Sequence, residues 1–580
     1  MSELRWIEDN HHDEKYPLWT RANVGEVLPE PPSPLGWDLV WENGTVLGWR
    51  DCMVNRLGIN DHEVHPDRPE VSGLFGGYAY LNATMMRIWG HRTPGFSAEL
   101  IDNAYFAGAT DVPPYVELGW HNNEATSEVM TAWLGWAMAD RSQAELEADR
   151  ALAIQIRQER PDLASASDAE LLERCRSLEA VVRRLFDQHI NQSAAASIGP
   201  GVIGQVCAAI GRPLDAMPMM AGIGGVDSAA PSYAMWELSR RVRASSDLTA
   251  AFGVGPTGLT ARIAADGSSD ASEFMDQLEE FMVEFGSRGP NEWDIYSPTW
   301  ELEPDLVLTL IDRMRAADDD AAPLTENASR EAERMRLGDE ITEALAADPE
   351  TQGQFAMALE SAKTFLAGRE RSKTNIIRVI GEIRVAAWEL GRRGVERGDL
   401  KDRRDVCMLF GDELDSFVGG SLADVSKIVA ERQAHHDWLM TLQPPYIIAE
   451  DPPPNTEWPA KGAAAVATAA AGDQLAGIPG CPGVARGRAV IVQHPSDPVD
   501  LGPGDILIAP MTDPSWTPLF VPAEAVVVNV GAPLSHAIIV SRELGIPCVV
   551  SVDEATKRIP NGATIEVDGN TGSVTIIDLG

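Results

Sequence analysis

The sequence has 580 residues, with 88 acidic against 47 basic side chains and a formal net charge of −41. That length exceeds one hydrophobic core, and 44% apolar with 23% charged residues describes a multidomain globular chain. So negative a surface repels nucleic-acid phosphates and anionic lipid, which excludes both as expected partners.

The six cysteines, at 52, 175, 207, 407, 481 and 548, show no Cys-x-x-Cys spacing. They suggest neither a zinc knuckle nor a redox pair, and sparse unpaired cysteine suits a cytoplasmic location. The first residues are polar and acidic, unlike a signal peptide. No apolar run approaches the ~18 residues needed to span a membrane.

In chain order, residues 1–122 read as irregular, rich in Pro, Gly, Trp and His, and form the first part of a larger domain. From 123 to 450 apolar residues recur at helical spacing, over 123–156, 168–190, 232–252, 273–285, 323–347, 353–397 and 420–442. Residues 451–474 begin with prolines and continue with alanines, as expected of a linker. Fully extended at ~3.5 Å per residue it would reach on the order of 80 Å. Residues 475–580 switch to short strands with Gly turns, expected at 487–493, 505–509, 526–530, 548–552, 564–567 and 573–577. The expected fold class is α+β multidomain: a large, mostly helical domain followed by a C-terminal α/β domain.

Within the tail, a Val-rich strand leads through a Gly/Pro turn to Ser535-His536 and a short helix that stops at Gly545, with Pro547 behind it. His536 therefore falls in the first turn of a helix, where free N–H groups and the helix dipole favour a phosphate. A neutral imidazole placed there can attack phosphorus and carry the phosphoryl group. The other reading is a histidine that merely caps its own helix.

Three segments of the tail carry a family resemblance: Thr512-Asp-Pro-Ser-Trp-Thr-Pro-Leu-Phe520, Ser535-His-Ala-Ile-Ile-Val-Ser-Arg-Glu-Leu-Gly-Ile-Pro547 and Glu566-Val-Asp-Gly-Asn-Thr-Gly-Ser-Val574. Residues 475–580 resemble the swivelling phosphohistidine domain of enzymes related to phosphoenolpyruvate synthase, pyruvate phosphate dikinase and rifampin phosphotransferase. The resemblance implies that His536 is the phosphohistidine and that Ser535, Gly531, Arg542, Glu543 and Asp513 support it. Ala532 stands where the family often has a second glycine.

Three earlier stretches, Thr20–Leu35, Phe285–Ile295 and Arg369–Lys373 with the following Arg397–Val406, resemble the acceptor-binding domain of rifampin phosphotransferase. Ser287 replaces that family's usual histidine before Arg-Gly-Pro, and Asn291 a usual glycine, which points to a different acceptor. Arg369 and Lys373 lie one helical turn apart, so both leave one helix face. The resemblance implies that they steady a phosphoryl group in transit, with Arg288 orienting the site. Without it, Arg369 and Lys373 read as a solvated basic face, and Arg288 as an ion-pair partner of Glu292 and Asp294.

The remaining motifs suggest less. His11-His12 and His435-His436 lack a third ligand at a diagnostic spacing, so no metal site is expected. His121 and the tryptophans at 19, 37, 120, 133 and 136 suit either a pocket or a plain core.

No Walker-type Gly-x-x-x-x-Gly-Lys motif occurs, and the Gly-rich stretch 222–226 lacks the lysine. The expectation is a carrier and an acceptor site with no ATP site in this chain. ATP and Mg2+ are expected on a separate ATP-grasp subunit, the PEP/pyruvate-binding-like partner. That subunit would charge His536, with AMP and inorganic phosphate as products, and a small hydroxyl acceptor would discharge it. A phenol or alkylphenol is the first expectation, as in enzymes resembling phenylphosphate synthase, because a phenol near pKa ~10 is easier to activate than an alkanol. Two alternatives are a non-catalytic phosphocarrier or regulatory protein, and a condensing enzyme driven by phosphorylation.

Overall fold

In a computed structural model, the described residues are all except 1–3, 107–111, 320–321, 464–465, 496, 498–500 and 532–534. Ala532 thus lies outside them. The chain is α+β: a large helical body joined to a C-terminal α/β domain.

The helical body is built around one helix of 49 residues, Pro349–Arg397, about 74 Å long at 1.5 Å per residue. Asp348 caps it through Thr351 N, Pro349 occupies its first turn, and Gly398 ends it at a left-handed φ of 84°. Residues Asn375–Trp388 are buried without a break, so this stretch has no solvent face. Helices Ala144–Gln158, Asp168–Ser177, Glu179–Ala195 and Ile198–Ala209 pack around it. A side chain at Gly199 would meet Ala362 N at 2.5 Å, so the 198–209 helix crosses with its backbone nearly in contact. Some of the continuous periodic stretches of the sequence resolve into shorter helices: 123–156 divides between Glu124–Ala139 and Ala144–Gln158, with Asp140 ending the first.

The described part of residues 1–122 is ordered by aromatic burial. β1 (Trp19–Thr20), β2 (Ser72–Phe75), β3 (Tyr78–Asn82) and β4 (Ile447–Ile448) form a four-stranded sheet in the order β2-β3-β1-β4. The sheet therefore joins the first and last parts of the helical body. Trp19, Phe75, Tyr78, Tyr80 and Trp458 share one core cluster. Trp37, Trp41 and Trp133 are buried in the main cluster, and Trp120 and Trp136 pack against it.

Of residues 451–474, the first half lies on the helical body: Trp458 is buried against Tyr78, and Lys461 N donates to Thr441 O. The last part lies on the C-terminal domain, where Ala469 N donates to Arg558 O at 2.8 Å.

That domain holds an eight-stranded sheet of β5 (Gln474–Ala476), β6 (Ile478–Cys481), β7 (Val484–Ile491), β8 (Asp505–Ala509), β9 (Ala523–Val528), β10 (Cys548–Val550), β11 (Thr564–Asp568) and β12 (Ser573–Asp578). The order is β5-β12-β11-β7-β8-β9-β10-β6, with β7 to β10 parallel. Leu507, Val526 and Val528 face one core cluster, and Ile506, Ile508 and Val527 face the other. Burial on both faces explains why these strands read as unbroken apolar runs.

Among the described residues no helix is long and apolar enough to cross a membrane. None of their His, Cys, Asp and Glu side chains gather in groups of three or more able to hold a metal ion.

Candidate active site

The strand β9 delivers the chain to a helix, His536–Leu544, whose N-cap is Ser535 in extended conformation, φ −67° and ψ 159°. Gly545 closes it at φ 70°, where the sequence placed the stop. His536 is its first residue and is 9% exposed. Both ring nitrogens meet hydroxyls: Nδ1 lies 3.0 Å from Thr512 Oγ1 and Nε2 lies 3.1 Å from Thr517 Oγ1. Phe520 meets the ring edge-on at 5.9 Å. Ser535 Oγ is buried beside the ring and has no hydrogen-bond partner among the described residues.

Every stretch that the sequence singled out in the body, apart from 397–406, meets the histidine segments here. A cavity of about 50 Å³ is lined by Asn23, Glu26 and Pro29; by Asn291, Glu292 and Trp293; by Arg369, Glu370 and Lys373; and by Thr512, Asp513, Ser535 and His536. The space is small and its lining is mostly polar and charged.

The wall from the long helix carries Arg369 and Lys373. The loop opposite runs from Gly286 to Glu301 and is pinned at its base by Glu301 N to Gly286 O and Trp300 N to Arg288 O. A side chain at Gly381 of the long helix would meet Ser287 Cβ at 2.9 Å, so the absence of one lets this loop sit against the helix. Asn291 holds φ 47°, a left-handed conformation open to Asn and Gly, which accounts for Asn at a position where the family has Gly. Arg384, wholly buried, donates to Glu292 O at 2.7 Å and Asp294 O at 3.1 Å; burial pushes its guanidinium down to about 10.

Arg288 pairs with Glu292, Nε to Oε2 3.1 Å, and Lys373 Nζ stands 3.6 Å from Glu292 Oε1. Asp294 is engaged elsewhere: it accepts from Ser33 N and Ser33 Oγ, tying the Thr20–Leu35 stretch to this loop. Arg369 pairs with Glu370 at 2.5 Å. Asp513 reaches across from the C-terminal domain, accepting from Asn291 N at 3.3 Å and from Ser515 N at 2.8 Å. Burial raises its carboxyl above the usual aspartate range, and the neighbouring Glu292 adds to the rise.

Burial, then Lys373, Arg288 and Arg369 in that order, hold the His536 imidazole well below its usual pKa. The ring is neutral at pH 7, the form that attacks phosphorus. The same cations would meet the negative charge of a phosphoryl group, inside a chain whose net charge opposes it.

His536, Ser535, Asp513, Arg369 and Lys373 line one cavity, and Arg288 stands directly behind Glu292. Gly531 lies back from it: a side chain there would meet Val550 Cβ at 2.8 Å, and its carbonyl accepts from Ser551 Oγ. Arg542 and Glu543 lie at the far end of the histidine helix, Arg542 donating to Gly480 O and Glu543 accepting from Ile223 N. His436 Nε2 meets Pro31 O, His435 packs on Trp6, and His121 Nδ1 meets Tyr115 OH; all three have local structural partners. Sequence reasoning did not select Thr512, Thr517, Glu292, Glu370 or Trp293 as site residues. Thr512, Thr517, Glu292 and Trp293 lie inside the quoted stretches, and Glu370 sits between Arg369 and Lys373.

Residues 188–370 match the family described as rifampicin phosphotransferase fourth domain, and residues 501–572 match the PEP-utilising enzyme mobile domain. An uncharacterised protein of Mycobacterium tuberculosis is 34% identical over 312 residues, 53% of this chain and 32% of the relative. The rifampicin phosphotransferase of Streptomyces sviceus is 30% identical over 319 residues, 53% of this chain and 35% of that one. The Bacillus subtilis rifampicin phosphotransferase is 27% identical over 310 residues, again 53% and 35%. The chain thus spans about a third of the length of these relatives.

Proposed function

We propose that this chain, which resembles the PEP-utilising enzymes over residues 188–370 and 501–572, is the carrier and acceptor part of a phosphotransferase. His536 takes a phosphoryl group at a donor site and passes it to a hydroxyl of a small organic acceptor. The single observation that carries this reading is the meeting of His536 with Arg369 and Lys373 at one cavity between the two domains, with Arg288 paired to Glu292 in its wall.

The donor site belongs to a separate ATP-grasp subunit, which would bind ATP and Mg2+ and leave AMP and inorganic phosphate. In the C-terminal domain, the hydroxyls of Thr512 and Thr517 orient the imidazole, and the start of the His536 helix offers N–H groups to the phosphoryl oxygens. Docking then brings the charged histidine against Arg369 and Lys373, which stabilise the charge as it moves to the acceptor. With the domains docked the cavity is about 50 Å³, so transfer to an aromatic acceptor requires its walls to part far enough to seat the ring beside His536. A phenol or alkylphenol fits this scheme best, since its hydroxyl ionises far more readily than an alkanol's.

The test mixes the chain with an ATP-grasp partner, ATP labelled at the β-phosphate and a panel of phenols and alcohols. Label is expected on His536 and on one class of acceptor. Label that survives His536→Ala, or that appears without the partner, contradicts the proposal.

A further inference from the structure

Transfer to a hydroxyl needs somewhere for the proton to go, and the cavity contains several carboxylates. Asp513 already accepts from Ser515 N, Ser515 Oγ and Asn291 N. Glu370 is paired with Arg369. Glu26 also lines the cavity, from the wall of the first part of the chain, and has a partner of its own. Glu292 differs: it is 1% exposed, it lines the cavity with His536, and neither of its oxygens accepts a hydrogen bond among the described residues. Arg288 and Lys373 hold it by charge alone, at 3.1 and 3.6 Å. A buried carboxylate with unfilled lone pairs beside a reaction centre is suited to receive a proton.

We propose that Glu292 is the general base for the acceptor hydroxyl. This rests on the function proposed above. In the step, the N–P bond of phosphohistidine breaks and its electron pair returns to the imidazole nitrogen. The acceptor oxygen forms the new O–P bond, and its proton passes to a Glu292 oxygen. The arriving phosphoryl group draws Lys373 toward itself, which frees the Glu292 oxygen that Lys373 faced. The charged and titratable groups around Glu292 include Arg288 on its own loop, Arg369, Glu370, Lys373 and Arg384 on the long helix, Glu26 on the facing wall, and Asp513 and His536 on the docked domain.

The experiment uses the full chain with its ATP-grasp donor and compares wild type with Glu292→Gln and Glu292→Asp. Readouts are labelling of His536 and single-turnover discharge to an alkanol, phenol and a nitrophenol already ionised at neutral pH. In Glu292→Gln, His536 labelling is expected within twofold of wild type. Discharge to phenol or alkanol is expected to fall by about 10²–10⁴, and to the nitrophenol by less than tenfold. Glu292→Asp should restore part of the rate. An equal loss for all acceptors, or no loss, overturns the assignment. A wild-type protein that charges His536 but phosphorylates no acceptor overturns the function proposed above instead. Melting temperatures of both variants within a few degrees of wild type show that folding is intact; if Glu292→Gln unfolds, the contrast between nitrophenol and phenol in Glu292→Asp decides.

Discussion

His536 Nδ1 lies 3.0 Å from Thr512 Oγ1, and a matching contact at Nε2 with Thr517 leaves the ring one orientation. Replacing Thr512 by Val removes a hydrogen bond worth about 1 kcal/mol and frees the ring to turn. The rate of His536 labelling should fall about five- to tenfold while the melting temperature stays within a few degrees. Unchanged labelling in both Thr512→Val and Thr517→Val would show that packing against Phe520 suffices.

The second prediction follows from the charge state of the same ring. Its pKa in the docked arrangement is held well below the usual value by burial and three cations, so the docked form binds fewer protons than an open or unfolded one. Docking is therefore favoured above pH ~6.5 and weakens as pH falls below that value. Protection from hydrogen exchange at the 286–301 loop and at residues 512–520, relative to the intrinsic amide rate at each pH, should fall between pH 7.5 and 5.5. His536→Asn should abolish that change; a pH response that persists in the variant assigns it to other groups, with Asp513 the first to examine.

Much of this site was legible in the sequence, for physical reasons that differ by element. The histidine helix announced itself because Ser535, His536, Gly545 and Pro547 are local signals, and its observed end at Leu544 matches. The long helix kept its period because it packs on neighbours along its whole length, whereas Asp140 and Ser245, which cap helix ends, divided stretches that read as continuous. The sheet in the first domain was missed: β1 is two residues long and pairs with β4 more than 400 residues later, a contact no local pattern encodes. Arg288 was read as balanced between Glu292 and Asp294, and only the fold shows Asp294 turned to Ser33. The unfilled oxygens of Glu292 belong to the packing, not to the sequence.

Arg384 supplies a third prediction. It is fully buried, it donates to the carbonyls of Glu292 and Asp294, and it anchors the loop that faces His536. Arg384→Met strands two buried carbonyls at a cost of about 3 kcal/mol, partly offset by no longer burying a guanidinium. Discharge to acceptor should fall while His536 labelling survives. A melting temperature and discharge rate equal to wild type would show that Gly381 and the loop's own turns fix it.

Lys373 and Asn291 separate charge from backbone shape. Lys373→Ala removes a cation from the docked histidine and should cut discharge about 10²-fold, leaving labelling nearly intact. Asn291→Gly keeps the left-handed φ of 47° and should alter stability by less than about 1 kcal/mol, while Asn291→Val should cost more. Equal loss of labelling and discharge in Lys373→Ala would place Lys373 in folding or docking.

The most direct test is a pulse–chase on the histidine. Label His536 with β-labelled ATP and the donor subunit, remove nucleotide, add an acceptor, and follow acid-labile label by rapid quench. Loss of phosphohistidine and gain of labelled acceptor should share one rate constant, and that rate should collapse in Lys373→Ala. Product that appears while His536 stays unlabelled, or phosphohistidine that decays only to inorganic phosphate with every acceptor, would contradict the account.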